Sequence, residues 1–155
     1  MDAFVLNVST PVGPFGVAGT DDALTTIFLP HEHHPASKGT APRMVAYAAA
    51  QLDEYFAGTR RGFDVLLGEV DATDFQRDVW RALVAIPYGE VRSYAEIAEV
   101  VGRPRASRAV GNANHLNRFP VVIPCHRVVA ASGLGGYGGG EDVKRFLLAL
   151  EGVEL

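Results

Sequence analysis

The amino-acid sequence predicts a mixed α/β (α+β) chain built in two small parts: strands with one helix, then a helical half. Three observations carry that prediction. Short apolar runs separated by Gly, Pro and Asp fill the first 30 residues, the pattern of strands and turns. Two boxes of the S/T-x-x-E/Q type open helical periodicities in the second half. A length of 155 residues, 48% hydrophobic and 21% charged, fits one ordinary globular domain or two very small ones. That composition argues against a disordered chain. No apolar run reaches the length of about 18 residues that a membrane span needs, and MDAFVLNVST has no basic region ahead of an apolar stretch, so no secretory signal is expected.

Taken in order, AFVLNV, PFGVAG and ALTTIFL read as strands, with Pro11, Gly13, Pro14 and the Asp21-Asp22 pair as turn material. HEHHPASKGTAP (31–42) is polar and rich in breakers, a surface loop. Residues 43–57 read as a helix with Val45, Ala48, Leu52, Tyr55 and Phe56 on one side and Gly58 as its C-cap. FDVLL (63–67) reads as a further strand. GEVDAT is then the connector between a first subdomain, 1–70, and a second, 71–155.

Thr73-Asp74-Phe75-Gln76 is a capping box, and the helix it opens carries Phe75, Val79, Trp80, Leu83 and Ile86 as its apolar positions. Pro87-Tyr88-Gly89 ends it. Ser93-Tyr94-Ala95-Glu96 is a second box, opening a helix through Val101 that Gly102 and Pro104 terminate. A third helix is expected over 105–114, with Ala106, Ala109, Val110 and Ala113 at i, i+3, i+4 and i+7. Two short helices joined by a Gly-containing turn form a helix-turn-helix pattern. Gly111, Asn112 and Asn114 on the second helix are short enough to let DNA approach its backbone. VVIPCHRVVA (121–130) follows, two apolar runs around a break. The chain closes with GLGGYGGG and a helix over 141–151 with Val143, Phe146, Leu147 and Leu150 inward.

The net charge of −4 hides an uneven distribution. Residues 1–76 hold 4 basic and 10 acidic side chains, whereas 77–127 hold 8 Arg and 4 acids. Arg103, Arg105, Arg108, Arg118 and Arg127 lie in a stretch, 103–127, with no acid at all. Arginine suits bidentate phosphate contact, although a merely solvated basic face has the same composition.

A single cysteine excludes an intramolecular disulfide framework and a cysteine-cluster zinc site, and fits a reducing, cytoplasmic location. A lone cysteine is ordinarily a small buried hydrophobe. Cys125 has neighbours that argue for more. Pro124 removes a backbone donor, and His126, Arg127 and the upstream arginines supply the positive surroundings that favour a thiolate. His126 can take the thiol proton, through a water better than directly because neighbouring side chains diverge, and a carboxylate would orient the ring.

IPCHRVV, preceded by GEVRSYAEIA and SRAVGNANHLN and followed by GYGGGEDVKRFLLALEG, resembles the O6-alkylguanine-DNA alkyltransferases. The resemblance runs along essentially the whole chain, STPVGPFGV included, and is strongest over 74–151. It implies a small ribonuclease-H-like N-terminal subdomain and a winged-helix-like C-terminal subdomain that binds DNA and accepts the alkyl group. It implies irreversible single-turnover transfer from O6-alkylguanine to Cys125, with His126 deprotonating the thiol through a water and Glu151 as the carboxylate partner. Tyr94 then matches the phenol that protonates guanine N3, and Asn117 the hinge that ties the recognition helix to the cysteine loop. Arg108 matches the finger that fills the space left by a flipped nucleotide, and Ala106, Ser107, Ala109, Gly111, Asn112 and Arg118 match the surface entering the minor groove. Pro120, Arg127, Val128, Tyr137 and Gly138 match the substrate pocket. No cofactor, no metal and no membrane are implied, and the partner is double-stranded DNA met by a monomer.

The sequence departs from that pattern in three places. The loop from Gly133 to Tyr137 is one residue shorter than the common form, Gly138 stands where Ser is frequent, and Arg118 rather than Pro follows Asn117. These bear on pocket shape, and so on which alkyl groups are accepted and whether O4-alkylthymine is repaired. GLGGYG has the GxGxxG spacing, but too little chain follows for a dinucleotide site. His31, His33 and His34 sit in a loop without a supporting ligand set. The competing readings are a non-catalytic damage-binding relative or a helix-turn-helix regulator. The first lacks the acceptor that PCHR supplies here, and the second needs segments for which 155 residues leave no room. A cysteine hydrolase would need an oxyanion hole, of which the sequence carries no signature.

Overall fold

Alternating apolar residues make three antiparallel strands, β1 (Phe4–Val8), β2 (Phe15–Gly19) and β3 (Leu24–Phe28), in the order β1-β2-β3. Val8 pairs with Phe15 and Gly16 with Phe28, so β2 is central and buried along its whole length. Helix α1 (Arg43–Phe56) packs on β1 and β2 through Val45, Ala48, Leu52 and Tyr55. These elements belong to a first unit, Met1–Val70, and the rest of the chain to a second, Asp71–Leu155. The structure is a computed structural model that describes residues 4–35, 39–135 and 140–154. Its mixed α/β class is the one expected from the sequence.

FDVLL does not form the expected strand. One bridge, Leu24 to Leu67, joins it to β3. Side chains account for the rest: Gln51 of α1 accepts a bond from the Asp64 N–H at 3.2 Å and donates to the Asp64 carboxylate, holding the start of the segment to the helix instead of the sheet. In the 31–42 loop both ring nitrogens of His34 are engaged, with Asn7 Oδ1 at 2.6 Å and the Leu29 carbonyl at 2.9 Å. Among the described residues no group of His, Cys, Asp or Glu is arranged to hold a metal ion, and no helix is long and apolar enough to cross a membrane.

In the second unit both capping boxes form. Thr73 accepts from the Gln76 N–H ahead of α2 (Asp74–Val84), and Ser93 accepts from the Glu96 N–H ahead of α3 (Tyr94–Val100). Val79, Leu83 and Ile97 are fully or almost fully buried between these helices and α4 (Ser107–His115). Trp80 uses its amphipathic ring as a clamp: Nε1 donates to the Ala113 carbonyl at 2.8 Å, fastening α2 to α4. Helix α4 starts two residues later than expected and turns Val110, Ala113 and Asn114 inward. Ala109, expected on the inner face, is exposed, and Asn114, expected among the short residues open to DNA, is buried.

The pairing of β4 (Arg92–Ser93) with β5 (Val128–Val129) had no signal in the sequence, because two residues carry no periodicity. It is parallel, and it sets the start of α3 beside the segment that follows Cys125. Helix α5 (Glu141–Leu150) buries Val143, Lys144, Leu147 and Leu148, so Lys144 and Leu148 face inward and Leu150, expected there, is only partly covered.

The Thr73 cap answers an orphan N–H of α2 and nothing in the site. Thr73→Ala should therefore lower unfolding stability by about 1 kcal/mol with an unchanged urea slope. An unchanged midpoint would mean that the box contributes nothing.

Candidate active site

Cys125, His126 and Arg127 form one turn of 3-10 helix, all three buried, between the loop after α4 and β5. Pro124 leads into it with ψ 67, and the turn closes with the Val128 N–H donating to the Cys125 carbonyl. Cys125 itself is 5% exposed. Two asparagines hold this loop to α4. Asn114 Nδ2 donates to the Cys125 carbonyl at 3.2 Å, and Asn117 Nδ2 donates to the Ile123 carbonyl at 2.8 Å while its Oδ1 accepts from the Phe119 N–H at 2.9 Å. Between those anchors Val121 sits at φ 74, a conformation that a β-branched residue adopts only under constraint. Strain of that kind costs about 1–3 kcal/mol and persists where surrounding bonds over-determine the backbone.

Glu151, directly after α5, collects four donors. Its Oε1 accepts from the Gly89 N–H at 3.1 Å and from Arg127 Nε at 2.8 Å, and its Oε2 accepts from His126 Nε2 at 2.7 Å and from Arg127 Nη2 at 3.0 Å. Both the His126 and Glu151 side chains are wholly buried. A carboxylate can only accept, so the ring hydrogen of His126 lies on Nε2. Arg127 Nη1 adds a bond to the Ile86 carbonyl at 2.7 Å. The sequence assigned Arg127 to the substrate pocket, whereas its guanidinium is turned to Glu151, Ile86 and the Tyr88 ring. Gly89 is required here: its φ is +80, and a Cβ would lie 3.1 Å from the Glu151 carbonyl oxygen.

Tyr94 opens α3 and is half-buried. Burial, and then the nearby Cys125, push its phenol above the ordinary tyrosine range, so it keeps its proton. The backbone of Gly135 closes over it: a Cβ there would come within 3.3 Å of the Tyr94 hydroxyl. Lys144 is fully buried and donates from Nζ to the Val128 carbonyl at 2.7 Å. Burial pulls it down to about 8, against the attraction of Cys125.

The sequence-assigned residues therefore fall into two groups. Cys125, His126, Arg127, Val128 and Glu151 come together and are buried. With them, the partly covered Asn117 is bonded into the same loop, the partly covered Tyr94 interacts with Cys125, and Pro120 is buried in the loop ahead, bridged to Ile123. Arg108, Ala109, Asn112 and Arg118 are exposed, with Ala106, Ser107 and Gly111 partly covered. Tyr137 and Gly138 lie outside the described residues. Lys144 and Asn114 were not assigned to the site. The signal for Lys144 was available, since it shares a face of α5 with Leu148 and Glu151 at i, i+4 and i+7. Asn114 follows the buried Val110 at i+4 in the same way.

Burial pushes the His126 ring below the ordinary histidine value, against Glu151, which pulls it up. The unfolded chain therefore takes the proton first, near pH 6.5, and the stability present above that value declines as pH falls toward the lower value of the folded ring. Unfolding midpoints taken from about pH 8 to pH 5 should drop more steeply in the native protein than in His126→Gln. Parallel curves would contradict a neutral buried ring.

Comparison with known proteins gives one consistent answer. Residues 74–153 match the family model described as 6-O-methylguanine DNA methyltransferase, DNA binding domain, and residues 7–67 match its ribonuclease-like domain. A methylated-DNA–protein-cysteine methyltransferase of Mycolicibacterium paratuberculosis is 51% identical over 93% of this chain and 89% of its own. The crystal structure of the Mycobacterium tuberculosis O6-methylguanine methyltransferase is similar with a TM-score of 0.84 at 44% identity, covering 97% of this chain and 93% of that one. A structure of that organism's enzyme in complex with DNA gives 0.83 at 46% identity, covering 94% and 90%.

Proposed function

The chain belongs to the 6-O-methylguanine DNA methyltransferase family, and from that premise we propose how its own residues perform the transfer. The activity is that of a methylated-DNA–protein-cysteine methyltransferase, which repairs DNA by direct reversal. Cys125 is the acceptor. Its thiolate attacks the alkyl carbon in line, an S–C bond forms as the C–O6 bond breaks, and the thioether has no hydrolytic exit, so each molecule acts once. The observation that carries this assignment is the buried His126–Glu151 pair at 2.7 Å directly beside the only cysteine of the chain.

His126 Nδ1 receives the thiol proton through a water, and Glu151 steadies the imidazolium that results. Arg127 is a positioning residue that holds Glu151 in two-point contact. Lys144, coupled to Cys125 across the interior, favours the charged over the neutral sulfur. Tyr94, which keeps its proton, donates it to N3 of the departing guanine and spares the purine a negative charge. Pro120 and the backbone of Cys125 and Val128 bound the pocket.

The thiol of a cysteine residue only 5% exposed cannot reach a base inside a duplex, so the nucleotide is extruded. The exposed side of α4 enters the minor groove, where Ala106, Ser107, Ala109, Gly111 and Asn112 allow close approach, and Arg118 meets phosphate. Arg108 fills the vacated stack. The protein acts as a monomer in the cytoplasmic compartment that holds the DNA.

Two measurements test this reading. Incubation with a duplex containing O6-methylguanine should add one methyl per chain by intact mass, and Cys125→Ser should add none while still binding DNA. Methylation of the serine variant at a near-native rate would remove Cys125 from the acceptor role. Arg108→Ala should slow transfer from the duplex by about tenfold or more, since extrusion costs a few kcal/mol, and leave reaction with a free O6-alkylguanine base near the native rate. Equal losses on both substrates would place Arg108 in the pocket instead of the stack.

A further inference from the structure

Two side-chain polar atoms are buried without a hydrogen-bond partner among the described residues, Asn114 Oδ1 and His126 Nδ1. They come from different elements, and both residues adjoin the acceptor. Asn114 donates to the Cys125 carbonyl at 3.2 Å, and His126 follows Cys125 in the chain. Asn114 is 7% exposed and His126 0%. Buried polar groups are nearly always satisfied, so two orphans on residues that adjoin one cysteine call for a physical reason.

Their chemical character follows from the bonds they already make. The Cys125 carbonyl can only accept, so the amide nitrogen of Asn114 is the end that faces it and the remaining end is an oxygen, an acceptor. The Glu151 carboxylate can only accept, so Nε2 of the neutral ring carries the hydrogen and Nδ1 is an acceptor too. Two acceptors cannot bond to each other. One group with two donor hydrogens satisfies both, and a water does so with a lone pair left over for the S–H of Cys125. Three partners is the ordinary complement of a buried water.

We propose that Asn114 is a positioning residue of the thiol relay: anchored on the Cys125 carbonyl, its Oδ1 holds, together with His126 Nδ1, the water that receives the Cys125 proton. The inference rests on the Cys125–water–His126 relay proposed above and adds the support that fixes the water's orientation. The proton leaves Sγ for the water oxygen as one water hydrogen passes to His126 Nδ1, giving thiolate and imidazolium. The other water hydrogen stays on Asn114 Oδ1, and no bond to Asn114 forms or breaks. Because Asn114 belongs to α4, the same helix that meets DNA also orients the proton acceptor.

The test compares the full-length wild type with Asn114→Leu, His126→Leu and the double variant, in single-turnover transfer from an O6-methylguanine duplex between about pH 6 and 9. Tm and duplex affinity are measured alongside. Leucine has the same branched side-chain skeleton as asparagine, and the Cys125 carbonyl keeps its bond from the Val128 N–H, so Tm should hold or rise. Transfer should fall about tenfold near neutral pH and recover as rising pH ionises the thiol without the relay. Tyr94 from α3, Lys144 from α5, Glu151 directly after it and Arg127 from the turn interact electrostatically with Cys125 or His126 and are unchanged in this variant. The double variant should be no slower than His126→Leu alone, the mark of one shared path.

A native rate in Asn114→Leu with a slow His126→Leu would overturn the role of Asn114 and leave the relay standing. Native rates in both would overturn the relay itself. A loss equal at every pH, with a lowered Tm, would make Asn114 structural. If the leucine variant does not fold, Asn114→Met removes the same oxygen and carries the same expectations.

Discussion

The acceptor site of this protein is organised around one carboxylate. From the end of α5, Glu151 draws donors from two other stretches of the second unit: the loop after α2 through Gly89, and the 3-10 turn through His126 and Arg127. A buried carboxylate is tolerated when its lone pairs are addressed and its charge is met, and removing one partner of such a set costs about 3–5 kcal/mol. That penalty makes the arrangement close to all-or-none. Tyr88 tightens it from the side, its hydroxyl donating to the Leu150 carbonyl at 3.2 Å and its ring lying 5.7 Å from the Arg127 guanidinium. The result is that residues 125 and 151, distant in the chain, share one rigid polar core.

Two cations act on the Cys125–His126 pair, Lys144 on the cysteine and Arg127 on the histidine, and their surroundings separate their roles. Arg127 is bound in a two-point contact to Glu151, and a planar fork of fixed charge suits that task better than an ammonium. Lys144 bonds to a neutral carbonyl and interacts with Cys125, and burial brings its titration down to about 8. At neutral pH it still carries its proton, though by a narrow margin. Tyr94 is displaced the other way and stays neutral. Burial thus sets Tyr94 to remain a proton donor, while the attraction of Cys125 works against burial to keep a positive charge on Lys144 near the sulfur.

How much of this the sequence disclosed depended on the physical range of each signal. The capping boxes at Thr73 and Ser93 were legible because a cap is local, its donor and acceptor three residues apart. The break at PCHR was legible from the apolar runs on either side of it, whereas the His126–Glu151 pairing was reached through the family resemblance. No periodicity links positions so far apart. FDVLL was misread because strand propensity competes with side-chain bonds from another element, and Gln51 decided the outcome. The β4–β5 pairing was invisible for want of length. Lys144 and Asn114 show a different gap. Both lie at inward helical positions, yet a charged or amide residue is ordinarily counted as surface, and only the partners, a carbonyl in each case, reverse that reading.

Helix α4 joins the two halves of the chemistry. Its outer side presents Arg108, Ala109 and Asn112, while its inner side carries Val110, Ala113 and Asn114. Trp80 pins one of its last carbonyls to α2, and Asn114 and Asn117 carry its position into the loop that ends at Cys125. That loop includes Val121 at φ 74, a residue with little freedom to absorb a displacement. If α4 meets the duplex as proposed, a helix fixed on both sides converts that contact into placement of the sulfur, and a reacting atom misplaced by about 1 Å loses much of its rate. The constraint also explains why the acceptor can be buried. In the proposed mechanism the element that meets the duplex is also the one that holds the acceptor loop, so the sulfur can stay shielded until then. A nucleophile used once gains more from protection against stray electrophiles than from open access.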